Sequence, residues 1–210
     1  MDTEDLLSLS KNSFMKAKIV ASIHDLLRAT SIQKLTVTMV CERAGISRSS
    51  FYHLFTDLSD AMSWEIGHVL SEIAEQYPLR ENWREDLIQQ LIAFMEYCQR
   101  DEAIYKKISA GMDQVDPGAT FCRTRIVRKQ WFLGLIEKWQ GKPADEDTAF
   151  QIEFFVCGES TSLVNWGKTM RDQPRDVAEK IVGCIPERLN KVMDTAFSQY
   201  LARQKATPSA

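Results

Sequence analysis

Apolar residues recur at three- and four-residue intervals along most of the chain, and no stretch shows the two-residue alternation of a half-buried strand between turn residues. The pattern predicts helix after helix. Residues 13–30 place Ile19, Ile23, Leu26 and Leu27 on one stripe. Two short helices follow between 36 and 55. A longer one over 57–76 turns Ala61, Trp64, Val69, Ile73 and Tyr77 inward before Pro78 ends it. Asn82 and Glu85 have capping-box spacing and open a helix with Leu87, Leu91, Phe94, Met95 and Cys98 inside. Further helices are predicted over 101–112, over 119–140 (Phe121, Val127, Trp131, Leu135 and Trp139 inward) and over the strongly apolar 145–170. Turn-rich segments at 113–118 and 141–145 separate them. The last helical stretch, 175–203, is expected to break at Pro186.

The 210 residues suffice to bury a core without staples. The hydrophobic share of 44% and charged share of 26% are ordinary for a globular chain and exclude wholesale disorder. No apolar run approaches the roughly 18 residues that read as a membrane span, so no membrane partner is expected. The acidic N-terminus has neither the basic nor the apolar region of a secretory leader. A cytoplasmic location is the expectation. Five cysteines (Cys41, Cys98, Cys122, Cys157 and Cys184) form no C-x-x-C pair, and three histidines have no metal-ligand spacing. No metal, cofactor or disulfide framework is therefore expected, and the thiols read as buried structural groups.

Net charge is −3, which changes meaning once it is resolved along the chain. Residues 11–60 carry seven Lys and Arg against four acids, a local excess of +3, while the remainder is acidic. The local field governs contact with phosphates, so a polyanionic partner is permitted at this end.

That same stretch carries the most informative motif, at 36–55. A short helix from Thr36 or Val37 faces inward with Val37, Val40, Cys41 and Ala44. Gly45 supplies a left-handed step, which would cost a residue with a Cβ about 1–2 kcal/mol. Ile46 plugs the corner, and Ser47 is placed to cap the next helix. That helix buries Phe51 and Phe55 and leaves Arg48, Ser49, Tyr52 and His53 on or near the opposite side. A capped helix presenting such side chains at its N-terminal half suits a major groove, with hydroxyls and amides on phosphates and Arg or His on base edges. This is a helix-turn-helix, in which the second helix reads bases.

Thr36, Ala44-Gly45-Ile46-Ser47 and Tyr52-His53-Leu54-Phe55 resemble, at matching spacing, the DNA-binding domain of the TetR/AcrR family of transcriptional regulators. The likeness covers roughly 13–75; beyond it only the helical architecture is similar. It implies an all-α fold: an N-terminal three-helix helix-turn-helix domain joined to a C-terminal helical bundle, about nine or ten helices in total. It also implies DNA contacts at Thr36, Thr38, Arg48, Ser49, Tyr52 and His53, a palindromic double-stranded operator, and repression as the usual mode. Two positions depart from the pattern. Leu58 stands where family members usually carry a phosphate-binding Lys, so that either affinity is lower or another residue such as Lys34 or Arg43 compensates, and Ala61 stands where a larger aliphatic is common.

The expected division is a tail at 1–12, the DNA-binding domain at 13–58, a regulatory and dimerisation domain at 59–203, and a tail at 204–210. No linker-like stretch lies near residue 60, so the two parts are expected to share a helix. One reading helix covers too few base pairs to select a site, so a homodimer is expected. The last long helices are the candidate contact, through Phe155, Leu163, Trp166, Leu189, Met193 and Phe197. Phe94, Met95, Tyr105, Phe121 and Trp131 are candidates to line a chamber for an apolar small-molecule effector. There is no nucleophile elbow, phosphate-binding glycine loop or catalytic carboxylate pair, so no enzyme is expected. The competing reading is a co-activator of the same fold that binds a protein rather than DNA.

Overall fold

The computed structural model describes the backbone of residues 3–80, 82–111 and 119–206, with side chains for 11–80, 82–111 and 123–205. Among these, ten α-helices and one 3₁₀ turn occur and no strand. They are α1 (Thr3–Ala29), the 3₁₀ turn Ile32–Lys34, α2 (Val37–Ala44), α3 (Arg48–Leu54), α4 (Leu58–Gln76), α5 (Trp83–Gln99), α6 (Glu102–Gly111), α7 (Ala119–Gln140), α8 (Glu146–Thr169), α9 (Pro174–Gly183) and α10 (Glu187–Ala206). No helix among the described residues is long and apolar enough to cross a membrane.

Local chemistry sets the helix ends. Asp57, Asn82 and Asp145 each accept from the amide three residues on, at 2.7, 3.4 and 2.8 Å, satisfying an orphan N–H of α4, α5 and α8. Pro174 occupies the first turn of α9, where its missing N–H costs nothing. The break expected at Pro186 separates α9 from α10.

Helix α1 packs on α2, α4 and α6, and α2 on α3. α4 leaves this group to pack on α5 and α7; α5 meets α9, and α7 and α8 pack on each other and on α10. Among the described residues one apolar core runs from Ile19 and Phe51 to Met193 and Phe197. Polar ties reinforce the junction. Lys107 Nζ of α6 donates to the Leu27 and Arg28 carbonyls at the end of α1, at 2.6 and 3.1 Å, and Arg28 bonds Asp101 at 2.5 Å.

Several inward faces differ from the sequence expectation. α1 begins at Thr3 rather than at 13, because no proline or glycine interrupts 3–29 and the ladder continues beyond the core-facing stripe. Tyr77 caps α4 and is exposed. On α7 the buried stripe is Arg128, Phe132, Ile136 and Trp139, while Val127 is exposed and Trp131 and Leu135 only half-buried. Two apolar stripes lie side by side on this helix, and packing against α4, α8 and α10 chooses the one that carries the arginine. On α8, Phe150 and Phe154 point outward while Ile152, Phe155, Val156 and Trp166 point in. Of the cysteines, Cys41 and Cys98 are buried, Cys157 half-buried and Cys184 exposed, so the reading of all five as buried holds only in part; the Cys122 side chain lies outside the described residues.

Gly111 closes α6 directly against the 3₁₀ turn, and a Cβ there would overlap Cγ2 of Ile32. Gly111→Ala is expected to destabilise the chain by about 1–3 kcal/mol, the usual range for overpacking, read as a lowered midpoint in urea unfolding. An unchanged midpoint would show that the 3₁₀ turn shifts freely.

Candidate nucleic-acid interface

The turn between α2 and α3 is built from backbone geometry. Gly45 sits at φ 64°, ψ 41°; its N–H donates to the Glu42 carbonyl at 3.2 Å and that of Ile46 to the Cys41 carbonyl at 3.0 Å. This pair of bonds is a Schellman motif, which closes a helix and redirects the chain. Thr36 caps the start of α2, its Oγ1 accepting from the Met39 amide at 3.3 Å. Ser47 Oγ caps α3 by accepting from the Ser50 amide at 3.0 Å.

Aromatic packing fixes how α3 stands on the protein. Phe51 is fully buried and Phe55 nearly so, with ring centroids 6.0 Å apart, and Phe55 meets Trp64 of α4 at 6.1 Å. The Lys16 ammonium of α1 lies 5.4 Å from the Phe55 ring and 5.7 Å from that of Trp64, a cation–π contact that ties three helices. With Phe51 inward, Arg48, Ser49, Tyr52 and His53 are all exposed, as are Thr36 and Thr38 beside them. Tyr52 keeps 49% of its surface exposed, edge-on to Phe51, and the Arg48 guanidinium lies 5.9 Å from its ring. The six residues singled out from the sequence thus lie outside the core, at the starts of α2 and α3 and along α3.

Of the replacements for the missing lysine, Arg43 is held by Asp25 of α1 at 2.6 and 3.2 Å, while Lys34 is exposed. Leu58 packs against the core. The turn from α3 into α4 is gripped from the other half of the molecule. Arg123 of α7 donates to both Asp57 oxygens at 2.9 and 3.1 Å and to Thr56 Oγ1 at 3.1 Å, and lies 3.7 Å from Asp60. Partial burial alone would raise the Asp57 carboxyl, but Arg123, the Asp60 amide and Thr56 together hold it below its ordinary value.

Behind this junction lies a cavity of about 100 Å³, walled by α4, α5, α6, α7 and α8. Phe94 and Tyr105 are among its lining residues. Met95 is fully buried in the core and Trp131 lies under the Arg128 guanidinium at 4.5 Å, and neither faces the cavity; the Phe121 side chain lies outside the described residues. Sequence reasoning missed the charged groups of this cavity. Arg128 and Glu159 form a buried bidentate pair at 3.0 and 2.8 Å. Glu65 of α4 is also buried; Oε1 accepts from the Tyr97 and Tyr105 hydroxyls at 3.0 and 2.8 Å, and Oε2 lies 3.1 Å from His24 Nε2. The signal was present as a charge on an apolar stripe, since Glu65 lies midway between Ala61 and Val69.

The residues expected at a subunit contact are placed differently. Phe155, Trp166, Leu189, Met193 and Phe197 are buried within the chain itself and Leu163 is half-buried against the cavity, so they correct to core and cavity wall. The exposed apolar groups on the same helices are Phe150 and Phe154, each 68% exposed and one turn apart on α8.

No family model matches the sequence. The chain has the TetR-like all-α fold. It superposes on the TetR family repressor AlkX of Dietzia sp., implicated in biodegradation of n-alkanes, with a TM-score of 0.57, 18% identity, and coverage of 85% of this chain and 96% of that one. A tetR-family transcriptional regulator from Streptomyces coelicolor gives a TM-score of 0.55 at 12% identity, covering 92% and 97%. In sequence, the chain is 23% identical over 99 residues to the HTH-type dhaKLM operon transcriptional activator DhaS of Lactococcus lactis, covering 47% of this chain and 51% of that protein. The chain thus spans about half the length of the curated relative it matches.

The Arg123–Asp57 bridge has a defined pH dependence. The folded Asp57 carboxyl lies below its unfolded value, so the bridge adds stability above about pH 4 and loses it as the pH falls through the folded value. The gap in melting temperature between wild type and Arg123→Ala is expected to stay constant from neutral pH to about pH 5 and to shrink below about pH 4. A gap that does not change with pH would assign the effect to packing.

Proposed function

We propose that this chain is a sequence-specific DNA-binding transcriptional regulator of the cytoplasm that inserts α3 into the major groove. The observation that carries this is the outward row on α3. Arg48, Ser49, Tyr52 and His53 are exposed on a helix whose start is capped by Ser47 and whose back is pinned by Phe51. In the proposed complex Thr36 and Thr38, exposed at the start of α2, meet the flanking phosphates, with the exposed Lys34 as the nearby cation. In this reading 13–58 bind DNA and 59–203 carry regulation and pairing.

A short helix reads few base pairs, so two copies are needed, with reading helices about 34 Å apart on a palindrome. We assign the pairing face to Phe150 and Phe154, continued along α8 by the exposed Gly158 and Ser162, which leave room for close helix approach. An effector in the cavity touches α4 and α7, the two helices joined by the Arg123 bridge, and releases DNA if it binds better to a state in which the reading helices lose groove spacing. Repression is the proposed mode. The alternative, a co-activator that binds a protein partner, draws on Leu58 and on the commitment of Arg43 to Asp25.

Selection on genomic fragments followed by gel shift tests the reading. A specific palindromic site is expected, with Arg48→Ala plus Tyr52→Ala abolishing it while the melting temperature holds. Arg48→Ala alone is expected to cost about 1–3 kcal/mol of specific binding, the usual worth of one base contact. Absence of DNA affinity at low salt overturns the proposal and favours the co-activator. Separately, Phe150→Glu with Phe154→Glu is expected to convert a dimer to a folded monomer by light scattering and to weaken operator binding; a dimer that persists moves the interface elsewhere.

A further inference from the structure

We propose that the internal cavity selects a small ligand with an apolar body and a cationic, hydrogen-bond-donating head, a primary amine in its ammonium form, received by Glu65. This rests on reading the chain as a ligand-responsive regulator. The cavity walls are apolar apart from a few groups, among them two buried carboxylates with different partners. Glu159 is matched by Arg128, whose Nε and one terminal nitrogen are spent on it and whose guanidinium plane is covered by Trp131 and Phe132 at 4.5 and 4.8 Å. The charge of that arginine is compensated by Glu159, so the pair offers an entering anion no net positive field. Glu65 has no guanidinium or ammonium within reach among the described residues; two phenols surround it, and its partner His24, 3.1 Å away, balances the charge only in its protonated form.

An ionised carboxylate offers about four acceptor positions. Three are taken here, two on Oε1 and one on Oε2, which leaves one position on Oε2 of a residue that lines the cavity. Burial and then the Glu65 carboxylate push the Cys98 thiol up to about 12. Burial, set against a Tyr105 hydrogen bond and reinforced by Glu65, pushes the Tyr97 hydroxyl up to about 12, and burial with Glu65 raises Tyr105 further. Both phenols therefore stay protonated and remain donors. The resulting field favours a cation, tolerates a neutral donor and repels a carboxylate. A volume of about 100 Å³ limits the ligand to a handful of heavy atoms.

n-Butylamine, n-butanol and butyrate are near-isosteric probes of this selectivity. Thermal melts of the full chain at pH 7 in each probe, with ammonium chloride at equal ionic strength as control, read binding as a concentration-dependent rise. Butylamine is expected to bind about ten-fold more tightly than butanol, as a charge-assisted hydrogen bond would give, and butyrate not at all. Glu65→Gln is expected to keep the butanol response and lose the amine advantage. Butyrate matching or exceeding butylamine, or an amine advantage that survives in Glu65→Gln, overturns the proposal. Should Glu65→Gln not fold, the wild-type ranking decides alone. A gel shift without probe is run in parallel. DNA binding with no amine preference defeats this inference only, and amine preference without DNA binding defeats the regulatory reading only.

Discussion

Burying an ionised carboxylate in a helical bundle carries a desolvation cost of several kcal/mol unless its oxygens are satisfied. Glu65 meets that condition only if four helices converge correctly. Its partners are His24 on α1, Tyr97 on α5 and Tyr105 on α6, with the carboxylate itself on α4. The His24 and Tyr105 rings also meet edge-on at 5.7 Å, and the Tyr97 and Tyr105 rings contact each other at the same separation. A shift of any of these helices by a hydrogen-bond length would leave a buried charge short of a donor. The relative placement of the N-terminal helices and the bundle is therefore held by directional bonds in addition to apolar contact, which is non-directional.

α4 carries that constraint in both directions. One of its ends is fixed at the α3 junction by its own cap, Asp57, which Arg123 grips from α7. Two turns on, Met62, Glu65 and Ile66 form one wall of the cavity. On α7 the residue after Arg123 is Thr124, also a cavity wall, as is Arg128 a turn further. The same two rigid elements thus touch both the cavity and the base of α3. Coupling between the sites needs no longer chain of contacts than this, although coupling in the thermodynamic sense requires a ligand that distinguishes two arrangements of α4.

Much of this was legible in the sequence because the signals were local. The turn at Gly45, the cap at Ser47 and the Phe51/Phe55 anchor depend on residues within a few positions of one another, and each lies where its chemistry requires. The cap at Asn82 and the break at Pro186 belong to the same class. The faces of α7 and α8 were a harder case. Both helices are apolar on more than one side, so periodicity offers two stripes and cannot choose between them.

By itself, then, the sequence determined the helical fold class, most of the helix boundaries and the composition of the outward row on α3, since these follow from backbone propensity, capping and a single apolar stripe. Tertiary structure decided what no local rule contains. It turned Phe150 and Phe154 to the surface and Phe155, Trp166 and Met193 to the interior, according to which neighbours α8 and α10 meet. It also brought Glu65, Arg128 and Glu159 around one cavity from three separate helices, because a buried charge is tolerated only where partners distant in sequence arrive to satisfy it.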